Sequence, residues 1–146
     1  MKKKNYTSLI SNVFNEHNKV AQSTLKSVEK DIENSAKIIA NSLSVGGTVF
    51  WCGNGGSAAD SQHIAAEFVG RFKKNRIPLR SIALTTDSSV LTCIANDYNF
   101  EEIFSRQLHG LGRKGDVLVV ITTSGQSENI KKALIQAKKI LGFFFI

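Results

Sequence analysis

The chain has 146 residues, 42% apolar and 21% charged, a balance that suits one globular domain and excludes a disordered or fibrous chain. Its formal charge is +7, carried in part by Lys2, Lys3 and Lys4 and in part by Arg71, Lys73, Lys74, Arg76 and Arg80, with no acid between positions 71 and 80. Such a field concentrates anions such as sugar phosphates, while a basic run with one aromatic, Phe72, and no recognisable binding module argues against nucleic acid.

The opening MKKKNY turns polar rather than apolar, and no run in the chain is long enough to cross a bilayer. A cytoplasmic protein with no membrane and no nucleic-acid partner is therefore expected. Two N-terminal helices follow. Leu9, Val13, Val20 and Thr24 share one stripe, with Ile10, Phe14 and Ala21 beside it, and Val28, Ile32, Ala36, Ile39 and Leu43 repeat at three- and four-residue steps. Gly46 and Gly47 stop the second of them, dividing residues 1–45 from a core over 46–146. Strands are predicted at Thr48–Cys52, Ser81–Thr85 and Val117–Ile121. Helices are predicted at Ser57–Phe72, Ser88–Ala95, Phe100–Leu111 and Ser127–Lys139. Alternation of this kind implies crossover connections, a parallel sheet covered on both faces and an α/β fold.

The first strand runs into Gly53-Asn54-Gly55-Gly56-Ser57 ahead of a helix. Glycines there let the backbone approach a ligand, and the helix N-terminus offers N–H groups to an anion. Ser57 and Asp60 also match a capping box. A dinucleotide reading wants an acid after the second strand, where Asp87 stands about ten residues late, and the lysine of a P-loop is absent. The third strand ends in Thr122-Thr123-Ser124-Gly125-Gln126-Ser127, again before a helix. Hydroxyls at a helix N-terminus suit a phosphate monoester, and ligands of open parallel sheets bind beyond the carboxyl ends of strands. His63 and Glu67 are one helical turn apart, a spacing that serves an acid–base pair, two ligands of a divalent metal, or an ordinary surface pair. Asn96-Asp97 closes a helix beside a loop. His17 and His109 have no such setting. Cys52 and Cys93 are too few and too far apart for a disulfide framework or a CxxC metal site.

The stretches CGNGGSAADSQHIAAEFVGRF (Cys52–Phe72), ALTTD (Ala83–Asp87), ANDYNFEEIFSRQ (Ala95–Gln107) and GDVLVVITTSGQSENI (Gly115–Ile130) resemble the phosphoheptose isomerases of the sugar isomerase (SIS) domain group. The resemblance implies a three-layer SIS sandwich and aldose–ketose isomerisation of sedoheptulose 7-phosphate to D-glycero-D-manno-heptose 7-phosphate, a step towards heptose for lipopolysaccharide or capsule. It also implies a cytoplasmic homotetramer, often with zinc. By motif, Asn54, Gly55, Gly56, Asn96 and Asp97 would contact substrate, and Thr122, Thr123, Ser124 and Ser127 would hold its phosphate. His63 and Glu67 match two metal ligands that also face substrate, and Glu67 matches one of two acid–base residues.

Family members continue after this helix with a strand, a glycine loop and a long helix carrying a Gln and a His. This sequence instead closes Ile140-Leu141-Gly142-Phe143-Phe144-Phe145-Ile146. The expectation is a C-terminally truncated member without the last strand and helix, without the second acid–base residue and half the metal ligands, and with little or no isomerase activity. The competing function is a non-catalytic SIS-domain protein that binds phosphosugar or associates with a replication initiator, and such a protein has no need of Glu67.

Overall fold

The computed structural model describes residues 6–140 and 143–145; Lys2, Lys3 and Lys4 of the basic tail, and residues 141, 142 and 146, lie outside them. By its internal contacts the chain forms two units, Met1–Ala36 and Lys37–Ile146. Helix α1 spans Tyr6–Ser44, so one helix of 39 residues stands where two were expected. The reason is local. No Gly or Pro interrupts the segment, and the apolar steps pass from Thr24 to Val28 without a break in phase. Ser27 keeps its hydroxyl inside the helix by donating to the carbonyls of Ser23 and Thr24. The stop comes at Gly46, whose φ of 86° only glycine adopts at little cost. In the first unit Leu9, Ile10, Val13, Phe14, Val20 and Ile32 are all more than half exposed.

The second unit is built on strands β1 (Val49–Gly53), β2 (Ser81–Ala83), β3 (Val117–Ile121) and β4 (Phe143–Phe145). They pair in the order β2-β1-β3-β4, all parallel. Between them run α2 (Gly56–Val69), α3 (Ser88–Asp97), a 3₁₀ turn (Phe100–Glu102), α4 (Ser105–Leu111) and α5 (Glu128–Ile140). This is the expected α/β sandwich, with two differences. Phe100–Leu111 is a 3₁₀ turn followed by α4 rather than one helix, with Ile103 and Phe104 between them buried in the core. And Phe143–Phe145 extends the sheet where no further strand was expected, pairing with Val117–Val119.

Alternate strand residues serve opposite faces. Phe50, Cys52, Leu118 and Val120 pack with Leu84, Ile94, Phe104, Leu108 and Ile130 under α3, α4 and α5. Val49 and Trp51 pack on the other face with Ala65, Phe68, Ile39 and Leu43. Trp51 and Phe68 meet as tilted rings with centroids 5.5 Å apart. The strand order also fixes where a ligand belongs. From β1 the chain crosses to β2 on one side and then returns to β3 on the other, so the carboxyl ends of β1 and β3 flank a topological switch point, the crevice where open α/β sheets bind ligands.

Candidate functional site

The loops after β1 and β3 are the glycine and hydroxyl loops read from the sequence, and the sheet sets them side by side. Gly53 closes β1 against the start of α2, where a Cβ would lie 2.7 Å from that of Ser57, so no larger residue fits. Gly55 holds a φ of 56° as the N-cap of α2, and no side chain caps the helix. The capping box read at Ser57 and Asp60 is therefore not formed; Ser57 lies inside the first turn, and its carbonyl accepts the Ser61 hydroxyl.

Asn54 is tied across the crevice. Its amide donates to Asn129 Oδ1 at 3.0 Å, and the Asn129 amide donates back to Asn54 Oδ1 at 2.8 Å. Asn129 sits in the first turn of α5 and is 2% exposed. Sequence reading missed it. The available signal was an amide placed directly after the hydroxyl loop, at a position that faces the glycine loop. Each side chain keeps one N–H and one lone pair for a further partner.

The hydroxyl loop braces itself. The Gly125 N–H donates to Thr122 Oγ1 at 3.1 Å, the Gln126 N–H donates to Ser124 Oγ at 3.2 Å, and Gly125 takes a φ of 63°. Both hydroxyls act as acceptors, so their own protons remain available to an anion. The Thr123 and Ser127 side chains have no hydrogen-bond partner among the described residues, and Thr123, Ser124 and Gly125 are exposed. Ser127 begins α5 by accepting from Ile130 and Lys131. The acid in that first turn, Glu128, is paired with Lys131 at 2.7 Å, which offsets its repulsion of a bound anion.

His63 and Glu67 stand on one face of α2, with Nε2 and Oε1 3.8 Å apart. They line a cavity of about 300 Å³ with Ile64, Phe68, Phe72 and Arg76. The glycine loop lines a different cavity, of about 180 Å³, with Thr85, Phe100 and Phe104. At about 1.5 Å of rise per residue, Glu67 lies roughly 16 Å along the axis from Gly56. One copy of the chain thus does not bring Glu67 to its own loops. Asn96 and Asp97 lie on the exposed last turn of α3, between Leu91 and Phe100, which both line the glycine-loop cavity. Asn96 donates to Asp97 Oδ1 at 2.9 Å, and the Cys93 thiol approaches Oδ2 at 3.4 Å. These bonds hold the Asp97 carboxyl below its usual range.

Two donors 3.8 Å apart can share a cation, yet zinc takes four protein ligands in structural sites and three in catalytic ones. Among the described residues no group of three His, Cys, Asp or Glu could hold a metal ion. The described residues do not by themselves make a zinc site. Cys52, beneath the glycine loop, is buried and its thiol is pushed up to about 12 by desolvation, which disfavours the reactive thiolate.

The family model for the SIS domain matches residues 13–141. The chain is 53% identical over 116 residues to the phosphoheptose isomerase of Akkermansia muciniphila, covering 80% of this chain and 61% of that protein. It is 47% identical over 133 residues to the phosphoheptose isomerase of Campylobacter jejuni subsp. jejuni serotype O:6, covering 91% and 71%. The structure is similar to the phosphoheptose isomerase of Neisseria gonorrhoeae, with a TM-score of 0.87 at 39% identity over 96% of this chain and 72% of that one. For the phosphoheptose isomerase of Francisella tularensis the TM-score is 0.90 at 35% identity, over 97% and 74%.

Proposed function

Because the chain belongs to the SIS-domain family, and within it to the phosphoheptose isomerases, we propose that it binds sedoheptulose 7-phosphate and serves its isomerisation to D-glycero-D-manno-heptose 7-phosphate. The observation that carries this reading is the pair of strand-end loops flanking the switch point, locked together by Asn54 and Asn129. The hydroxyls of Thr122, Thr123, Ser124 and Ser127 would donate to the phosphate, with the N-terminus of α5 adding its dipole. Asn54 and the Gly55–Gly56 backbone would meet the sugar, and Asn96 and Asp97 are assigned to substrate by motif alone.

In the reaction a proton leaves C1 of the ketose as the C1–C2 double bond of an enediol forms and the C2 oxygen is protonated. C2 then takes a proton as the C1 oxygen gives one up. Glu67 is the carboxylate for the carbon-bound proton, and His63 beside it is a donor for the developing oxyanion. Because Glu67 lies roughly 16 Å along α2 from the glycine loop, we infer that the sugar would meet the Glu67 of a second copy. The reading therefore includes a homo-oligomer, supported by the apolar stripe exposed on the first unit. The chain spans 61% of the length of the Akkermansia relative. No helix among the described residues is long and apolar enough to cross a membrane, which accords with a cytoplasmic place for heptose synthesis for lipopolysaccharide or capsule.

The test is calorimetric titration of the purified chain with sedoheptulose 7-phosphate and with unphosphorylated sedoheptulose. Binding of the phosphate ester alone, weakened about tenfold or more by Ser124→Ala with Thr123→Ala, is expected. Equal affinity for both sugars would remove the phosphate cradle from the proposal.

A further inference from the structure

The last turn of α2, which carries Glu67 and Phe68, ends at Val69 and has no basic residue of its own. A helix end of this kind leaves carbonyls without partners and a negative dipole unanswered. Gly70 N–H satisfies Ala66. The rest falls to one side chain from the loop beyond. Arg76 Nη2 donates to the Glu67 carbonyl at 2.8 Å, and Nη1 donates to the carbonyls of Phe68 at 2.8 Å, Ile77 at 2.9 Å and Gly70 at 3.3 Å. Leu79 N–H adds a bond to the Phe68 carbonyl. The guanidinium is half-buried in the wall of the cavity that His63 and Glu67 line.

The choice of acceptors is informative. A guanidinium can pair with a carboxylate as a fork. Here the fork is spent on main-chain oxygens, and the ionic partner of the Glu67 carboxylate among the described residues is His63. Arg76 fixes the residue by its backbone and leaves its carboxylate free to accept a proton.

Resting on the proposed isomerase reading, we propose that Arg76 is a positioning residue for Glu67, clamping the end of α2 so that the carboxylate is presented to the sugar without being neutralised. Lysine, with one nitrogen, cannot reproduce a clamp made by two nitrogens of a planar group.

The experiment follows exchange of the C1 protons of sedoheptulose 7-phosphate with D₂O, a half-reaction that one base supports, for the full chain and for Arg76→Gln, Arg76→Lys and Glu67→Gln. Amide hydrogen exchange is read on the same proteins. Arg76→Gln should slow proton exchange tenfold or more at saturating sugar, with KM within twofold, and raise amide exchange at residues 67–70 but not in β1 or β3. Arg76→Lys should fall between. An Arg76→Gln protein that keeps the unsubstituted rate, or loses only KM, overturns the role of Arg76 while leaving Glu67 in place. An unsubstituted chain no faster than Glu67→Gln overturns the assignment of Glu67 as the base, and the positioning role falls with it.

Discussion

Asn129 shows how much a single side chain does at this crevice. Buried and paired twice with Asn54, it is the residue whose truncation leaves an amide without a partner. Asn129→Ala should cost about 1–3 kcal/mol, the usual cost of leaving a buried polar group unsatisfied. It should also weaken sedoheptulose 7-phosphate binding, whereas a substitution at exposed Gln126 should do neither; urea titration and calorimetry separate the two. The cysteines give a second expectation. Cys52 is pushed up to about 12 by burial and Cys93 is raised by its bond to Asp97. Ellman's reagent at neutral pH should therefore react slowly with Cys93 and reach Cys52 only on unfolding. Equal, rapid labelling of both would contradict the burial of the β1 end.

At the level of elements, the junction of the 3₁₀ turn with α5 is electrostatic. Lys132 bridges Glu101 and Glu102 at 2.8 Å each, and Ser105 also donates to Glu102. The Lys132 ammonium first, and the Ser105 hydroxyl second, hold Glu102 below its ordinary value of 4.5, while the two carboxylates hold Lys132 above 10.5. The signs are opposite. The contribution of Glu102 is complete above 4.5 and lost as pH falls through its lowered value; that of Lys132 is complete below 10.5 and lost as pH rises through its raised one. Lys132→Met should therefore lower the urea midpoint most between those limits, and only slightly, since the pair is largely solvated. Fluorescence of Trp51, the chain's single tryptophan, reports the midpoint. A harsher change at the same scale is Gly53→Ala, which forces β1 and α2 apart at a contact of 2.7 Å and should cost about 1–3 kcal/mol.

These elements also show what the sequence could reveal. Val117–Ile121 was readable to the residue, because a doubly covered strand is a continuous apolar run bounded by turn formers. The two loops were readable because glycines and hydroxyls cluster where strands end. The union of the N-terminal helices was not, since a pattern of apolar steps marks a helical face and says little about where one helix yields to the next. Nor was the separation of Glu67 from the loops, for spacing along one helix places a residue on a face but does not bring it within reach of a ligand. Arg76 and Asn129 were invisible as contacts because both bonds join segments that only the folded chain brings together.

For the whole molecule, the exposed stripe of Leu9, Val13, Phe14 and Val20 is the feature that most needs a partner. If a second copy covers it, Val13→Glu with Phe14→Glu should convert a larger species into a smaller one in light scattering, with the second unit still folded by circular dichroism. Proton exchange from the sugar should then be lost together with assembly, while binding of the phosphate ester to isolated copies persists. A monodisperse monomer in the unsubstituted chain would contradict the second-copy reading directly.

The tie between Asn54 and Asn129 has a consequence of a different kind. Both partners are carboxamides, which neither titrate nor attract counterions, so the span between the two loops is set by a link that salt does not screen and acid does not dissolve. A phosphate ester arriving beside it meets no charge within the tie itself for its field to displace. The tie is therefore expected to hold the two loops at the same span over a wide range of ionic strength.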